Sequence, residues 1–114
     1  MKLATFNING VNKRLANLLE WLERDRPDVA CLQELKATDK QFPIAEIKQA
    51  GYHAVWQGEH LWNGVAILAK NAPPIVTRRG LPGLEDSHAR YLEAAADGIL
   101  AARCIFRTLS SCHR

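Results

Sequence analysis

An α/β fold is what residues 1–100 of this 114-residue chain predict. Two observations carry that reading. Short apolar runs alternate with segments of helical periodicity, and between Leu3 and Gln33 the order strand, helix, strand forms a βαβ-like unit. The chain is 47% apolar and 24% charged, the composition of an ordinary globular protein, and its length suits one domain with a modest core.

Leu3 to Asn7 is the first strand, ended by the turn-forming run Asn7-Ile8-Asn9-Gly10. Asn12 is placed to cap a helix on which Leu15, Leu18, Leu19 and Leu22 recur at helical spacing. That helix ends near Arg26, because Pro27 disfavours a helical backbone in the residue before it. Val29 to Gln33 is an apolar run short enough for a buried strand, and the connection makes it parallel to the first. Pro43 opens a second helix with Ile44 and Ile47 on its apolar face and Gly51 just past its end. Tyr52 to Gln57 and Gly64 to Ala69 are strands, the second the stronger. Asn71-Ala72-Pro73-Pro74 breaks the chain, Ile75 to Arg79 is a further strand, and Gly80 to His88 is loop. Tyr91 to Ala96 suits a strand or a short helix, since Ala94-Ala95-Ala96 accommodates both.

Residues 101–114 are different in character. They hold two of the three cysteines, Arg103, Arg107 and Arg114, and no acid. The net charge of +3 therefore belongs to this segment, and residues 1–100 are balanced, which is weak evidence for nucleic-acid binding by the body. Two regions follow: a domain portion at 1–100 and an aberrant basic tail at 101–114. No apolar run is long enough to cross a membrane, no signal peptide precedes the first strand, and Cys31, Cys104 and Cys112 form neither a metal-ligand spacing nor an even disulfide set. A cytoplasmic protein is the expectation.

Asn7 and Glu34 stand at the carboxyl ends of the two best strands. In a parallel pair both side chains emerge at the sheet edge where α/β proteins place ligands. One carboxylate beside one amide suits Mg2+, which takes oxygen ligands and is often held by one or two carboxylates with waters and phosphate oxygens. An isolated Asn and an isolated Glu are better explained as surface residues serving their own turns. Cys31 in its apolar run is a packed core thiol rather than a nucleophile. Trp56 and Trp62 are packing residues before they are base-stacking platforms. His53 and His60 have no partner at ligand spacing, Arg78 and Arg79 are an exposed pair at a strand end, and Asp86-Ser87-His88 is loop.

Read with their neighbours, these residues resemble a known family. Thr5-Phe6-Asn7-Ile8-Asn9-Gly10, then Arg26-Pro27-Asp28-Val29-Ala30-Cys31-Leu32-Gln33-Glu34-Leu35-Lys36, look like the opening of the exonuclease III family. These are DNA-repair exonucleases and AP endonucleases of the endonuclease/exonuclease/phosphatase superfamily. The likeness continues in Gln41-Phe42-Pro43, Ala50-Gly51-Tyr52-His53, Asn63 to Leu68 and Arg78-Arg79-Gly80-Leu81-Pro82-Gly83, in family order and spacing. Leu35 departs from it, standing where the family has Thr.

The resemblance implies a DNase I-like four-layer α/β/β/α sandwich, of which this chain is the incomplete N-terminal half. It implies Mg2+, with Mn2+ as the alternative ion, and double-stranded DNA with abasic sites or 3′ ends as partner. Glu34 matches the family's magnesium-binding glutamate and Asn7 the asparagine beside it. Asn9 and Lys36 are supporting residues of the same motifs, Lys36 near phosphate, although an ordinary solvated lysine explains it as well. The family's later Tyr, Gly-Asp-x-Asn run and final Asp-His do not occur here. The expectation is therefore a phosphodiester hydrolase's metal corner, inactive alone, with an uncovered apolar sheet face that promotes self-association. A non-catalytic fragment or binding module is the competing class. A phosphatase or lipid phosphodiesterase of the same superfamily is the runner-up among enzymes, disfavoured by the Arg-Arg-Gly-x-Pro-Gly run. Codons for Arg103 to Thr108, read in a shifted frame, permit Val-Tyr-Leu-Pro-Asn, which resembles the strand the family has there, so the tail is expected to be a frameshifted or prematurely ended product.

Overall fold

Alternation within Leu-Ala-Thr-Phe-Asn makes the first strand, β1 (Leu3–Asn7), two-sided: Phe6 turns toward the helices while Leu3, Thr5 and Asn7 stay exposed. The computed structural model describes residues 2–58, 64–79, 92–96 and 99–100. The expected elements at Trp62, His60, Asn63, Gly80 to Gly83, Asp86-Ser87-His88 and 101–114 lie outside the described residues.

After β1 come α1 (Leu15–Asp25), β2 (Val29–Gln33), a 3₁₀ turn at Asp39–Gln41, α2 (Ile44–Gln49), β3 (His53–Gln57) and β4 (Val65–Ala69). β5 (Ile75–Arg79), β6 (Leu92–Ala96) and β7 (Ile99–Leu100) follow. The first sheet has the order β1-β2-β4-β3, with β1 and β2 parallel and the other pairs antiparallel. The second is an antiparallel β5-β6-β7 sheet. β6 settles the Tyr91–Ala96 ambiguity in favour of a strand beginning at Leu92: pairing with β5 overrides the helix preference of its alanines.

β2 and β4 lie inside the first sheet with both faces covered, which is why they read as unbroken apolar runs. On one face Ala30, Leu32, Ala66 and Leu68 pack against Leu18 and Leu22 of α1 and Ile47 of α2. On the other, Val29, Cys31, Val65 and Ile67 meet Ala94 of β6 and Val76 of β5. The chain thus supplies helices, a four-stranded sheet and part of a second sheet, more of the sandwich than one sheet and its helices. The second sheet covers β2 and β4, and Leu3 of β1 is left 54% exposed.

The helix ends differ from expectation in one respect. Asn12 does not cap α1; its side chain donates to the Gln41 carbonyl at 2.9 Å, joining the loop after β1 to the 3₁₀ turn. The C-terminus closes as expected at Arg26, which adopts a left-handed backbone (φ 45°) and returns its N–H to the Leu22 carbonyl. The Arg26 guanidinium then donates to the Ala50 carbonyl at 3.0 Å and lies 5.2 Å from the centre of the Tyr52 ring. Tyr52, fully buried, donates its hydroxyl to the Pro27 carbonyl at 2.7 Å.

At the start of the strands, Asp28 accepts from the Lys2 N–H and sits 3.4 Å from the Lys70 ammonium. That N–H, opposed by some desolvation and aided by Lys70, holds the Asp28 carboxyl below its usual range. Among the described residues no helix is long and apolar enough to cross a membrane.

Candidate metal centre

The parallel register pairs Asn7 with Gln33, so Asn7 ends β1 at the same level as β2, and Glu34 is the next residue on. The two chains do not part there. Ile8 N–H donates to the Gln33 carbonyl (3.0 Å), Gly10 N–H to Glu34 (2.9 Å) and Val11 N–H to Leu35 (2.9 Å). On the far side Leu35 N–H donates to the Gly64 carbonyl at 3.1 Å. Ile8, Val11 and Leu35 are fully buried and anchor both loops in the core, while Asn7, Asn9 and Lys36 are exposed and Glu34 half-buried.

Four non-glycine residues have a left-handed backbone among the described residues, and three belong to these loops: Asn9 (φ 50°), Glu34 (59°) and Lys36 (52°). Asn accepts this conformation with little strain; Glu and Lys do not. The Lys36 ammonium donates to Asn9 Oδ1 at 2.6 Å, a side-chain bridge from one loop to the other. Lys36 is therefore engaged with Asn9.

The four sequence-selected residues thus fall at one end of the β1–β2 pair, and the structure brings Asn9 and Lys36 into contact. Among the described residues the Glu34 carboxylate and the Asn7 amide make no hydrogen bond or ion pair. Their oxygens are available to a ligand, and one carboxylate with one amide fits the small protein contribution that Mg2+ accepts. No group of three His, Cys, Asp or Glu that could hold a metal occurs among the described residues.

Other candidates are packing residues. Trp56 stacks on Phe42 (centroids 4.4 Å apart, planes 15° apart) and donates to the Asp39 carbonyl at 3.3 Å. Cys31 is buried between the sheets, and His53 is half-buried in β3. The buried anchors Ile8, Val11 and Leu35 were not singled out from sequence as shaping the site. The alternation of buried and exposed positions continuing past Asn7 was the available signal.

The model of the endonuclease/exonuclease/phosphatase family matches residues 4–104. The chain belongs to this family. Exodeoxyribonuclease III of Haemophilus influenzae is 40% identical over 95 residues, which cover 82% of this chain and 35% of that protein. An AP endonuclease from Archaeoglobus fulgidus superposes with a TM-score of 0.80 at 36% identity, covering 86% of this chain and 38% of that one. The 3′ phosphatase NExo from Neisseria, solved with a product DNA hairpin, gives 0.83 at 38% identity, covering 88% and 39%. The α/β architecture is that of the DNase I-like AP endonucleases, and the chain spans a little over a third of the length of these three relatives.

Proposed function

We propose that this chain carries the metal corner of a Mg2+-dependent DNA-repair nuclease of the exonuclease III type, with Mn2+ able to replace Mg2+. Its substrate is double-stranded DNA at 3′ ends and abasic sites, in the cytoplasm. The observation that carries this reading is the pairing of Asn7 and Glu34 at level ends of two parallel strands, with the following loops zipped by Gly10 N–H to Glu34 and Val11 N–H to Leu35.

Glu34 holds the ion through its unpaired carboxylate, and Asn7 orients the phosphate beside it. Backbone bonds from Ile8, Gly10 and Val11 fix the positions of both ligand residues, and the Lys36–Asn9 hydrogen bond adds a side-chain link between the two loops. The bound ion supplies charge stabilisation at a phosphoryl oxygen. Hydrolysis also needs a group that activates water. The family's later Tyr, Gly-Asp-x-Asn run and final Asp-His do not occur in this sequence, and the 114 residues are read as inactive alone. The tail at 101–114 is proposed to be a frameshifted continuation, which the downstream nucleotide sequence tests: another frame without a Gly-Asp-x-Asn run refutes it.

Calorimetric titration with MnCl2 tests the metal assignment: the chain binds in the millimolar range and Glu34→Gln does not. Mg2+-dependent cleavage of an abasic-site duplex, abolished in Glu34→Ala, would overturn the inactivity. Equal Mn2+ binding by the chain and by Glu34→Gln would overturn the site. Release of phosphate from a 3′-phosphorylated duplex would favour a second reading, 3′ phosphatase, between which and exonuclease the likeness to NExo does not choose, since that protein is described as both.

A further inference from the structure

Asn12 stands between the loop after β1 and the start of α1. An asparagine there ordinarily serves the helix, yet α1 begins at Leu15 with no side-chain cap. The Asn12 amide donates instead to the Gln41 carbonyl, 29 residues along the chain, at 2.9 Å. A helix left uncapped while a suitable side chain reaches elsewhere departs from local preference, and such departures gather where function makes its own demands. The Gln41 end of this link is itself locked. Its side-chain oxygen accepts from the Thr38 N–H at 2.9 Å, and its own N–H donates to the Thr38 carbonyl at 3.0 Å. Residues 37–39 lie against the end of β3: Gly58 N–H donates to Asp39 Oδ1 at 2.7 Å, and Trp56 donates to the Asp39 carbonyl.

A segment bonded to itself in this way moves as one body, so its place against the loop after β1 is set at its two ends. One end is backbone, where Gly10 N–H reaches Glu34 and Val11 N–H reaches Leu35. The other is the Asn12 amide on Gln41. Between them lie Glu34 and Lys36, both with a left-handed backbone, which persists only where the surroundings impose it. We propose that Asn12 is a positioning residue of the metal corner: through Gln41 it fixes the 34–41 segment against the loop after β1 and so holds Glu34 in the orientation an ion requires. The role toward the ion rests on the reading of Glu34 as its ligand; the link between the two loops does not.

Amide hydrogen exchange of the full chain, followed by NMR, tests the link without metal. Asn12 is exposed, so Asn12→Ala keeps the fold, as circular dichroism will verify. The Gly10 and Val11 amides, far from Gln41 in sequence, are expected to exchange at least about fivefold faster in Asn12→Ala, while the amides of β4 stay as protected as before. Asn12→Asp keeps the shape but sets a carboxylate oxygen against the Gln41 carbonyl, and it behaves as Asn12→Ala does. In a Gln41→Ala background, where the Thr38 lock is open, Asn12→Ala adds little. Titration with MnCl2 then reads the site: the dissociation constant rises at least about threefold in Asn12→Ala. Unchanged exchange at Gly10 and Val11 overturns the proposal, and so does a rise shared equally by β4, the mark of general destabilisation. Wild-type protection in Asn12→Asp overturns it too, because the donor is then not what matters. Mn2+ bound equally by wild type and Asn12→Ala refutes the positioning of Glu34. A wild type that binds no Mn2+ removes the ligand reading of Glu34 itself, and the exchange rates alone then decide whether Asn12 holds the loops together.

Discussion

Replacing Glu34 by glycine is expected to stabilise the fold and to remove its response to divalent ions. Glu34 holds a left-handed backbone at φ 59°, and its side chain has no hydrogen bond or ion pair among the described residues. A non-glycine residue in this conformation costs about 1–2 kcal/mol. Glycine relieves that strain and gives back about 0.5–1 kcal/mol through the greater freedom of the unfolded chain. The net gain is about 0.5–1 kcal/mol, or roughly 2–4 °C in melting temperature for a domain of this size. With a dissociation constant of about 1 mM, 10 mM Mn2+ stabilises the wild type by about 1.4 kcal/mol, and Glu34→Gly by nothing.

Thermal melts with and without MnCl2 read both effects. Glu34→Gln is the control, since it keeps the strained backbone and loses the charge: its melting temperature stays near that of the metal-free wild type and does not rise with Mn2+. A Glu34→Gly protein less stable than the wild type by 1 kcal/mol or more would refute the idea that strain is stored at this site for function. One that still gains stability with Mn2+ would show the ion bound elsewhere.

Three further substitutions have expected outcomes. Tyr52→Phe leaves the Pro27 carbonyl without its donor in a buried setting and costs about 1–3 kcal/mol in denaturant unfolding. Burial, partly offset by the neighbouring Arg26, raises the Tyr52 hydroxyl above its usual 10.0, so its contribution is intact below pH 10 and is lost as pH rises through the folded value; the alkaline limb of the stability curve should flatten in Tyr52→Phe. The Asp28 carboxyl is shifted the other way, below 3.8, so its contribution is present above that value and disappears as pH falls through the folded one; Asp28→Asn should reduce the acid sensitivity of the midpoint. Gly58→Ala would drive a Cβ into the Ala37 carbonyl oxygen and to 2.6 Å from the Thr38 carbonyl carbon, both backbone, so a loss of about 3 kcal/mol or failure to fold is expected in a urea melt.

The first sheet was legible because its signals were local and mutually consistent. β1 and β2 were bounded by a turn run and by Pro27, and β4 announced itself as an unbroken apolar run, the mark of a strand covered on both sides. Asn7 and Glu34 were picked out by their places at the ends of two strands read as parallel, and the resemblance of the runs around them supplied the expected role. What was hidden depended on partners distant in sequence. Asn12 reads as a helix cap until Gln41, 29 residues later, offers a carbonyl that competes for it. Lys36 reads as any solvated lysine until Asn9 is brought across from the other loop. The left-handed backbone at Glu34 and Lys36 was invisible because neither residue favours it; the surrounding hydrogen bonds impose it.

That imposition explains how a parallel strand pair, the less stable kind of pairing, can hold the proposed ligand residues in place. β1 and β2 are secured at both ends. At the start, Asp28 ties the Lys2 N–H and the Lys70 ammonium, and the backbone of Asp28 bonds both Lys2 and Lys70. At the far end, the pairing runs on through Ile8, Gly10 and Val11, whose N–H groups reach successive carbonyls from Gln33 to Leu35. Side chains buried to either side of the ligand residues leave the loops no room to re-register, because a one-residue slip would expose Ile8 and Leu35 and bury Asn7 and Lys36. The position of Glu34 therefore follows from backbone pairing and core burial, and its carboxylate remains uncommitted to structure. A left-handed backbone and a side chain without a partner among the described residues, inside so fully bonded a frame, are what the proposed ligand role of Glu34 calls for.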